Sequence, residues 1–300
     1  MIANLLRTDR SRFQAWCPDS PLTCQMLAKV SWINFLTHKQ VQLSNRLRAV
    51  LLRYYPAAVE VFGHLTSQIA LEFICAFPTP QTIHALTIAA FKDFARQHKY
   101  SRPKELPARF AHLQTPQPEV APEVVERYQD EAIHLAQLLL SVVREHSVAE
   151  RELTKLFQQH PDYAVFHSLP GAGDFLAPAL LTKFGDDRQR FPTPGSVQAL
   201  AGTCPVTDAS GRKKVIRFRR ACDREFRHIA HEWAMHSLSE SVWANTYFER
   251  VRSQCDSKSH AYRCLANRWL AIAWKLWQTH QPYDEAYHLE QRALRHTARE

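Results

Sequence analysis

The chain has 300 residues, of which 45% are hydrophobic and 22% are charged. This length and composition are typical of a globular protein with about two domains. No apolar run approaches the roughly 20 residues that a membrane-spanning helix needs. The first residues show no signal-peptide pattern, so we expect a cytoplasmic protein with no membrane partner. The net charge of +9 favours an acidic partner, of which nucleic acid is the commonest.

The cysteines do not form a recognisable framework. Their number, seven, is odd and their spacing is irregular, with no Cys-x-x-Cys pair. Neither a set of disulfides nor a zinc knuckle is indicated by this pattern. We expect reduced thiols and no metal site.

The pattern of apolar residues predicts a mainly α-helical protein with a long helical arm. Over 31–55 they recur at helical spacing, and Pro56 ends that helix. A heptad seam over 128–156 continues for about four heptads, which indicates a coiled coil. The proline-rich stretch 101–122 is predicted to be an irregular connection. The two helices would form an antiparallel hairpin or an oligomerisation arm.

Glycine is concentrated in one segment of the second half of the chain. Six of the seven glycines lie between positions 171 and 211. Glycine is needed where the backbone takes positive φ or approaches another group closely. We therefore expect the functional site in this segment.

The sequence Ser-Leu-Pro-Gly-Ala-Gly at 168–173 fits a helix-hairpin-helix motif inside the compact C-terminal domain. A tight turn of this kind exposes backbone N–H groups at a helix N-terminus, and these groups bind phosphate without reading a base. Gly171 and Gly173 are then candidate DNA-contacting residues, and Gly185 ends the helix that follows. A simple turn between two core helices explains the same residues and stays open as the alternative.

A second candidate site begins at Ser210. It precedes Gly211 and three cations, which are Arg212, Lys213 and Lys214. A serine that attacks phosphorus needs an exposed hydroxyl on a loop and nearby cations that stabilise the charged transition state. A Ser-Gly pair is also typical of an ordinary turn, so these residues alone leave both interpretations open.

Further cations extend this basic segment toward the next helix. Arg217, Arg219 and Arg220 are expected to contact phosphates, which would position a duplex without specifying its sequence.

The order of these motifs resembles the C-terminal domain of the DEDD-type insertion-sequence transposases, also called bridge recombinases. The resemblance covers about 163–277. The motifs that carry it are Leu169-Pro-Gly-Ala-Gly173, Gly185-Asp-Asp, Leu200-Ala-Gly202, Ser210-Gly211 and the basic run from Arg219 to Arg227.

The resemblance implies DNA transposition with Ser210 as the nucleophile. It also implies an N-terminal RuvC-like domain whose four acidic residues bind magnesium, and a structured guide RNA that selects the DNA. Proteins of this kind assemble through dimers into tetramers with composite active sites, so a homo-oligomer is expected.

Mapped onto this chain, the resemblance predicts three regions. Residues 1–15 would be the end of a RuvC-like domain, 16–160 the arm with its proline-rich insertion, and 161–300 the serine domain. Most of the RuvC-like domain would then be missing, so we expect no cofactor in this chain and no catalysis without that domain. The alternatives are a non-catalytic helix-hairpin-helix protein that binds nucleic acid, and a decayed oligomerisation remnant.

Overall fold

The computed structural model describes residues 7–8, 17–116, 119–211 and 213–297. Helices make up most of these ranges, and the only sheet within them is a two-stranded hairpin. The predicted mainly α-helical fold is confirmed. No helix in the described ranges is long and apolar enough to cross a bilayer.

The chain divides into two compact units. Ser31–Ala149 forms the arm unit, and Met1–Val30 with Glu150–Glu300 forms the C-terminal unit. The helices up to Gln158 are α1 (Pro21–Tyr54), α2 (Gln68–Ala76), α3 (Pro80–His84), α4 (Ile88–Gln97), α5 (Leu106–Leu113) and α6 (Pro122–Gln158).

Within the arm unit, α1 and α6 run antiparallel. Trp32 Nε1 donates to Glu145 at 3.3 Å, and Arg46 Nε donates to Glu131 at 2.6 Å, so positions rise on one helix as they fall on the other. The predicted antiparallel hairpin is thus present within the chain, whereas a role as an oligomerisation arm stays a prediction. Part of the heptad seam is buried along α6, whereas a coiled coil between chains stays a prediction.

The core of the arm unit contains a group of aromatic rings from the segment between the long helices. The rings of Phe62, Phe73 and Phe91 pack with centroids 5.5 to 6.0 Å apart. Edge-to-face and offset arrangements at this range stabilise a core beyond simple burial. Phe73 and Phe91 are completely buried.

The prediction of an irregular connection over 101–122 was wrong in its first half. A 3₁₀ turn at Pro103–Glu105 leads directly into α5, whose Leu106 and Leu113 are buried. The prolines stand in the first turn of these elements, where a missing N–H breaks no intrahelical hydrogen bond. Here proline begins a helix instead of ending one.

The C-terminal unit adds seven helices and the hairpin. They are α7 (Tyr163–His167), α8 (Gly173–Phe184), α9 (Pro194–Leu200), β1 (Val206–Ser210), β2 (Lys213–Arg217), α10 (Arg224–His236), α11 (Val242–Arg252), α12 (Lys258–Thr279) and α13 (Glu285–Thr297). Gly185 ends α8 with φ of +73°, as predicted.

The helix α12 lies at the centre of this unit and packs on α9, α10 and α11. Trp233 and Trp269 are completely buried there, with ring centroids 5.2 Å apart. Their indole N–H groups are satisfied, because Trp269 donates to Ser237 Oγ at 2.8 Å and Trp233 donates to the Pro170 carbonyl at 3.0 Å. The second bond fixes the 168–173 turn on the core.

Candidate nucleic-acid interface

Ser210 lies at the tip of a surface β-hairpin. The strands β1 and β2 pair antiparallel with Ser210 opposite Lys213, so only Gly211 and Arg212 connect them. Gly211 has φ of +55°, which glycine adopts without strain and which a two-residue hairpin turn requires. The sequence predicted a loop here, whereas the residues form strands up to the turn.

The hairpin is exposed to an unusual degree. Every residue of β1 is exposed, and Ile216 on β2 has 68% of its surface accessible. No hydrogen bond in the described part of the chain involves the Ser210 hydroxyl. Asp208 lies two residues before Ser210, on the same face of β1, and forms an ion pair with Arg217 at 3.4 Å.

The structure describes the side chains of only some of the cations that the sequence predicted to contact DNA. Arg212 lies outside the described residues, and of Lys213 and Lys214 only the backbone in β2 is described. Arg220 is exposed, as is Arg217, whereas Arg219 is half-buried.

A concave surface, which we call the hairpin groove, is formed by β1, the end of β2 and the residues just after it. It encloses about 770 Å³ and is lined by Val206, Thr207, Asp208, Arg217, Phe218 and Arg220. Cations beside an exposed aromatic ring are typical of surfaces that bind nucleic acid. The structure thus brings Arg217 and Arg220 together.

Phe218 is the site residue that sequence reasoning missed. Phe218 is 45% exposed, and the guanidinium carbons of Arg227 and Arg263 lie 4.5 and 4.8 Å from its ring centroid. Each pair has the geometry of a cation–π interaction. We call these three residues the Phe218 cluster. The run Phe218-Arg219-Arg220 could have indicated that this ring belongs to the basic surface, but the contact with Arg263 forms only in the folded chain.

The acidic residues within the basic segment are engaged by a lysine of α8. Lys183 Nζ donates to Asp223 at 2.9 Å and to Glu225 at 2.6 Å. Burial opposes the charged form of Lys183, but the two carboxylates raise its pKa overall. Burial likewise acts to raise the pKa of Asp223, yet the Phe226 N–H and Lys183 hold it below its usual value. Lys183 therefore neutralises about half of the negative charge of these two acids and holds them against α8.

The 168–173 turn is packed against the end of α10. The Gly171 N–H donates to Glu240 Oε2 at 2.7 Å, and a Cβ added to Gly171 would lie 2.4 Å from the Ser237 nitrogen. Gly173, with φ of +54°, has open space where its Cβ would be. The Gly171 amide that was expected to bind phosphate is therefore already paired with a carboxylate. A phosphate contact at this turn stays a prediction.

The described residues do not fit the magnesium site that the resemblance implies. Among them, the one group of three His, Cys, Asp or Glu side chains able to share a cation is Cys255, His260 and Cys264. Magnesium prefers oxygen ligands. Thiol and imidazole groups are poor ligands for it.

Comparison with known proteins shows what part of this chain is similar to. Residues 163–249 match the family described as Transposase IS116/IS110/IS902. This match includes the 168–173 turn, the hairpin and α10. This segment of the chain is similar to that family of insertion-sequence transposases, which supports the resemblance seen in its motifs.

Three relatives extend the similarity beyond this segment. The candidate transposase of the IS117 mini-circle from Streptomyces coelicolor is 28% identical over 291 residues, which cover 95% of this chain and 70% of the relative. An uncharacterized protein of insertion element IS900 from Mycobacterium paratuberculosis is 24% identical, with 85% and 65% covered. One of IS110 from Streptomyces coelicolor is 22% identical, with 91% and 67% covered. The chain thus spans 65 to 70% of the length of these relatives.

Proposed function

We propose that this chain acts in the transposition of an insertion sequence, that it binds DNA through the hairpin groove, and that Ser210 attacks the DNA backbone. One observation carries the proposal. An exposed serine lies at the tip of a hairpin whose base presents Arg217, Phe218 and Arg220, inside the segment that matches the transposase family.

The proposed chemistry is a phosphoryl transfer from the DNA strand to Ser210. The Ser210 oxygen forms a bond to phosphorus while one phosphorus–oxygen bond of the strand breaks, and the serine proton ends on the released sugar hydroxyl. Arg212, Lys213 and Lys214, which follow Ser210 closely in sequence, would stabilise the additional negative charge at phosphorus in the transition state. The covalent link retains a phosphodiester, so that a second strand can later displace the serine.

The exposed hairpin supports a role in binding. An isolated two-stranded hairpin is at best marginally stable in water, and β1 has no buried side chain. A nucleic acid that covers the hairpin would stabilise it, with Arg217 and Arg220 on phosphates and Phe218 against a base or sugar. The Phe218 cluster would hold this ring in place.

The resemblance extends the proposal to the assembly. We propose that cleavage needs the RuvC-like domain with its acidic residues, and that this chain alone binds DNA without cutting it. A structured guide RNA and a dimer or tetramer of like chains in the cytoplasm belong to the same proposal.

The variant Ser210→Ala tests the nucleophile, with the acidic domain of a longer relative supplied as a separate chain. The assay measures covalent protein–DNA adducts and strand joining on the ends of the element, with magnesium and guide RNA. We expect both products to disappear while DNA binding is retained. Ser141→Ala, at an exposed serine of α6 that does not line the hairpin groove, serves as the control and should remain active. Adduct formation by Ser210→Ala would overturn the assignment.

A non-catalytic nucleic-acid-binding protein is the second candidate. It is favoured by the lack, within the described residues, of any group hydrogen-bonded to the Ser210 hydroxyl that could take its proton. In the same experiment this candidate predicts that unmodified chain, with the acidic domain present, binds DNA and never forms the adduct.

A further inference from the structure

Two cysteines and one histidine, all able to bind a metal ion, lie close together near the junction of α11 and α12. Cys255 lies in the connection between these helices, and His260 and Cys264 lie four residues apart on α12. Residues at this spacing share one face of a helix. The three ligand atoms all lie within 4.8 Å of one another, and each residue is half-buried.

We propose that Cys255, His260 and Cys264 bind one Zn²⁺ ion, with the fourth position open to water or to another ligand. Two thiolates and an imidazole form a donor set that suits zinc much better than magnesium or calcium. Three protein ligands with one open position is a coordination that zinc adopts in proteins.

The geometry is close to that of a formed site. With bonds of about 2.3 Å to sulfur and about 2.1 Å to nitrogen, tetrahedral ligand atoms lie roughly 3.5 to 3.8 Å apart. The ligand atoms here lie at most 4.8 Å apart, which exceeds this range by about 1 Å. Side-chain rotation can supply a shift of that size at half-buried positions, without movement of the helix.

The backbone around the ligands is held by hydrogen bonds. The Ser257 hydroxyl caps α12 and accepts from the His260 N–H at 3.2 Å. Arg252 donates to the Cys255 carbonyl at 3.3 Å, which holds the backbone of the connection at Cys255. Because the ligands come from both sides of the α12 N-terminus, a bound ion would fasten the connection to the helix.

The site lies next to the Phe218 cluster in sequence. Arg263 precedes Cys264 on α12 and contacts the Phe218 ring. An ion that orders the first turns of α12 would therefore also order the residue that supports Phe218. Zinc binding itself does not depend on this link, and it can be measured without DNA.

The test is a zinc titration of the full chain in a thiol-free reductant, with a coloured chelator as competitor. We expect one ion per chain, and release of protons on binding because the thiols must ionise. The variants Cys255→Ser, His260→Asn and Cys264→Ser should each weaken binding at least tenfold. The matched controls Cys24→Ser and His228→Asn alter an exposed cysteine and an exposed histidine elsewhere, and should bind as the unchanged chain does.

A second readout is independent of affinity. Zinc should protect two thiols per chain from alkylation, as counted by mass spectrometry on Cys255 and Cys264. Circular dichroism of each variant shows whether it folds. The proposal is overturned if zinc does not bind one to one, if the controls lose as much affinity as the variants, or if Cys255 and Cys264 form a disulfide under these reducing conditions. Failure here would leave the proposal for Ser210 untouched.

Discussion

Gly171 and Gly173 stand two residues apart in one turn but have very different surroundings. Both have positive φ, of +73° and +54°. The side of Gly171 that would carry a Cβ faces the backbone at Ser237, whereas that of Gly173 faces open space. Gly171 therefore has a packing role whether or not its amide also meets a phosphate.

This contrast predicts a difference in stability. An L-residue with left-handed backbone costs about 1 to 2 kcal/mol, and a forced contact in a packed region adds about 1 to 3 kcal/mol. We expect Gly171→Ala to lower the free energy of unfolding by about 3 kcal/mol or more, and Gly173→Ala by only about 1 kcal/mol. Urea unfolding measures both. Equal losses would contradict the close packing at Gly171.

At the scale of elements, the carboxylate of Asp186 is one of the groups that tie the N-terminus of α1 to the loop after α8. Asp186 accepts hydrogen bonds from the Ser20 N–H at 2.6 Å and the Thr23 hydroxyl at 2.8 Å, and its Oδ1 lies 3.0 Å from His160 Nε2. Burial acts to raise the pKa of Asp186, but these hydrogen bonds lower it overall. The ionised form is therefore favoured by folding.

A pH dependence follows from that lowered pKa. Because the pKa of Asp186 is lower in the folded state than in the unfolded state, its contribution is present above the usual value of 3.8 and is lost as the pH falls through the folded-state value. We expect Asp186→Asn to be less stable than the unchanged chain at pH 7, with the difference shrinking towards pH 3. The exposed variant Asp130→Asn is the control. A difference that stays constant with pH would contradict this role.

The hairpin permits a second prediction at this scale. Each phosphate contact contributes about 0.9 to the slope of log affinity against log salt for duplex DNA. The double variant Arg217→Ala, Arg220→Ala should lower this slope by about 2. Its free energy of unfolding should change by less than about 0.5 kcal/mol, because both side chains are on the surface.

Fluorescence anisotropy at several salt concentrations measures this slope. The double variant Arg48→Ala, Lys92→Ala removes two exposed cations of the arm unit and should leave the slope unchanged. An equal effect of the two double variants would show that the hairpin groove is not the contact surface. A slope near zero for the unchanged chain would favour the decayed remnant.

At the scale of the molecule, each unit has its own buried core. Phe73 is fully buried in the arm unit, and Leu270 is fully buried in the C-terminal unit. We expect Phe73→Ala to cost about 3 to 5 kcal/mol through the cavity it leaves, and Leu270→Ala about 2 to 5 kcal/mol.

Hydrogen exchange followed by mass spectrometry shows where these losses fall. Phe73→Ala should weaken protection mainly in α2 and α4, and Leu270→Ala mainly in α10 and α12. Uniform loss over the whole chain in both variants would mean that the two units open as one.

Features that depend on neighbours in sequence were predictable. Helical periodicity indicated α1 and α6, and Gly185 ended α8, because each depends on local backbone preferences. The Ser-Gly pair at Ser210 could have been interpreted as a hairpin turn, and the spacing of His260 and Cys264 as one face of a helix. Each pattern also occurs often without such a role, the first in ordinary turns and the second on helices that bind no metal, so the sequence alone did not single it out.

Other features arose only when distant segments packed together. Arg263 contacts the Phe218 ring, and Glu240 accepts a hydrogen bond from the Gly171 N–H. Lys183 forms ion pairs with Asp223 and Glu225, at the start of α10. None of these contacts has a sequence pattern, because each depends on which apolar faces meet in the core and in which register. Periodicity along a chain specifies which side of a helix is buried, but not which partner buries it. The sequence alone therefore determined the mainly α-helical fold and its long helices, while tertiary packing decided which groups surround each candidate site.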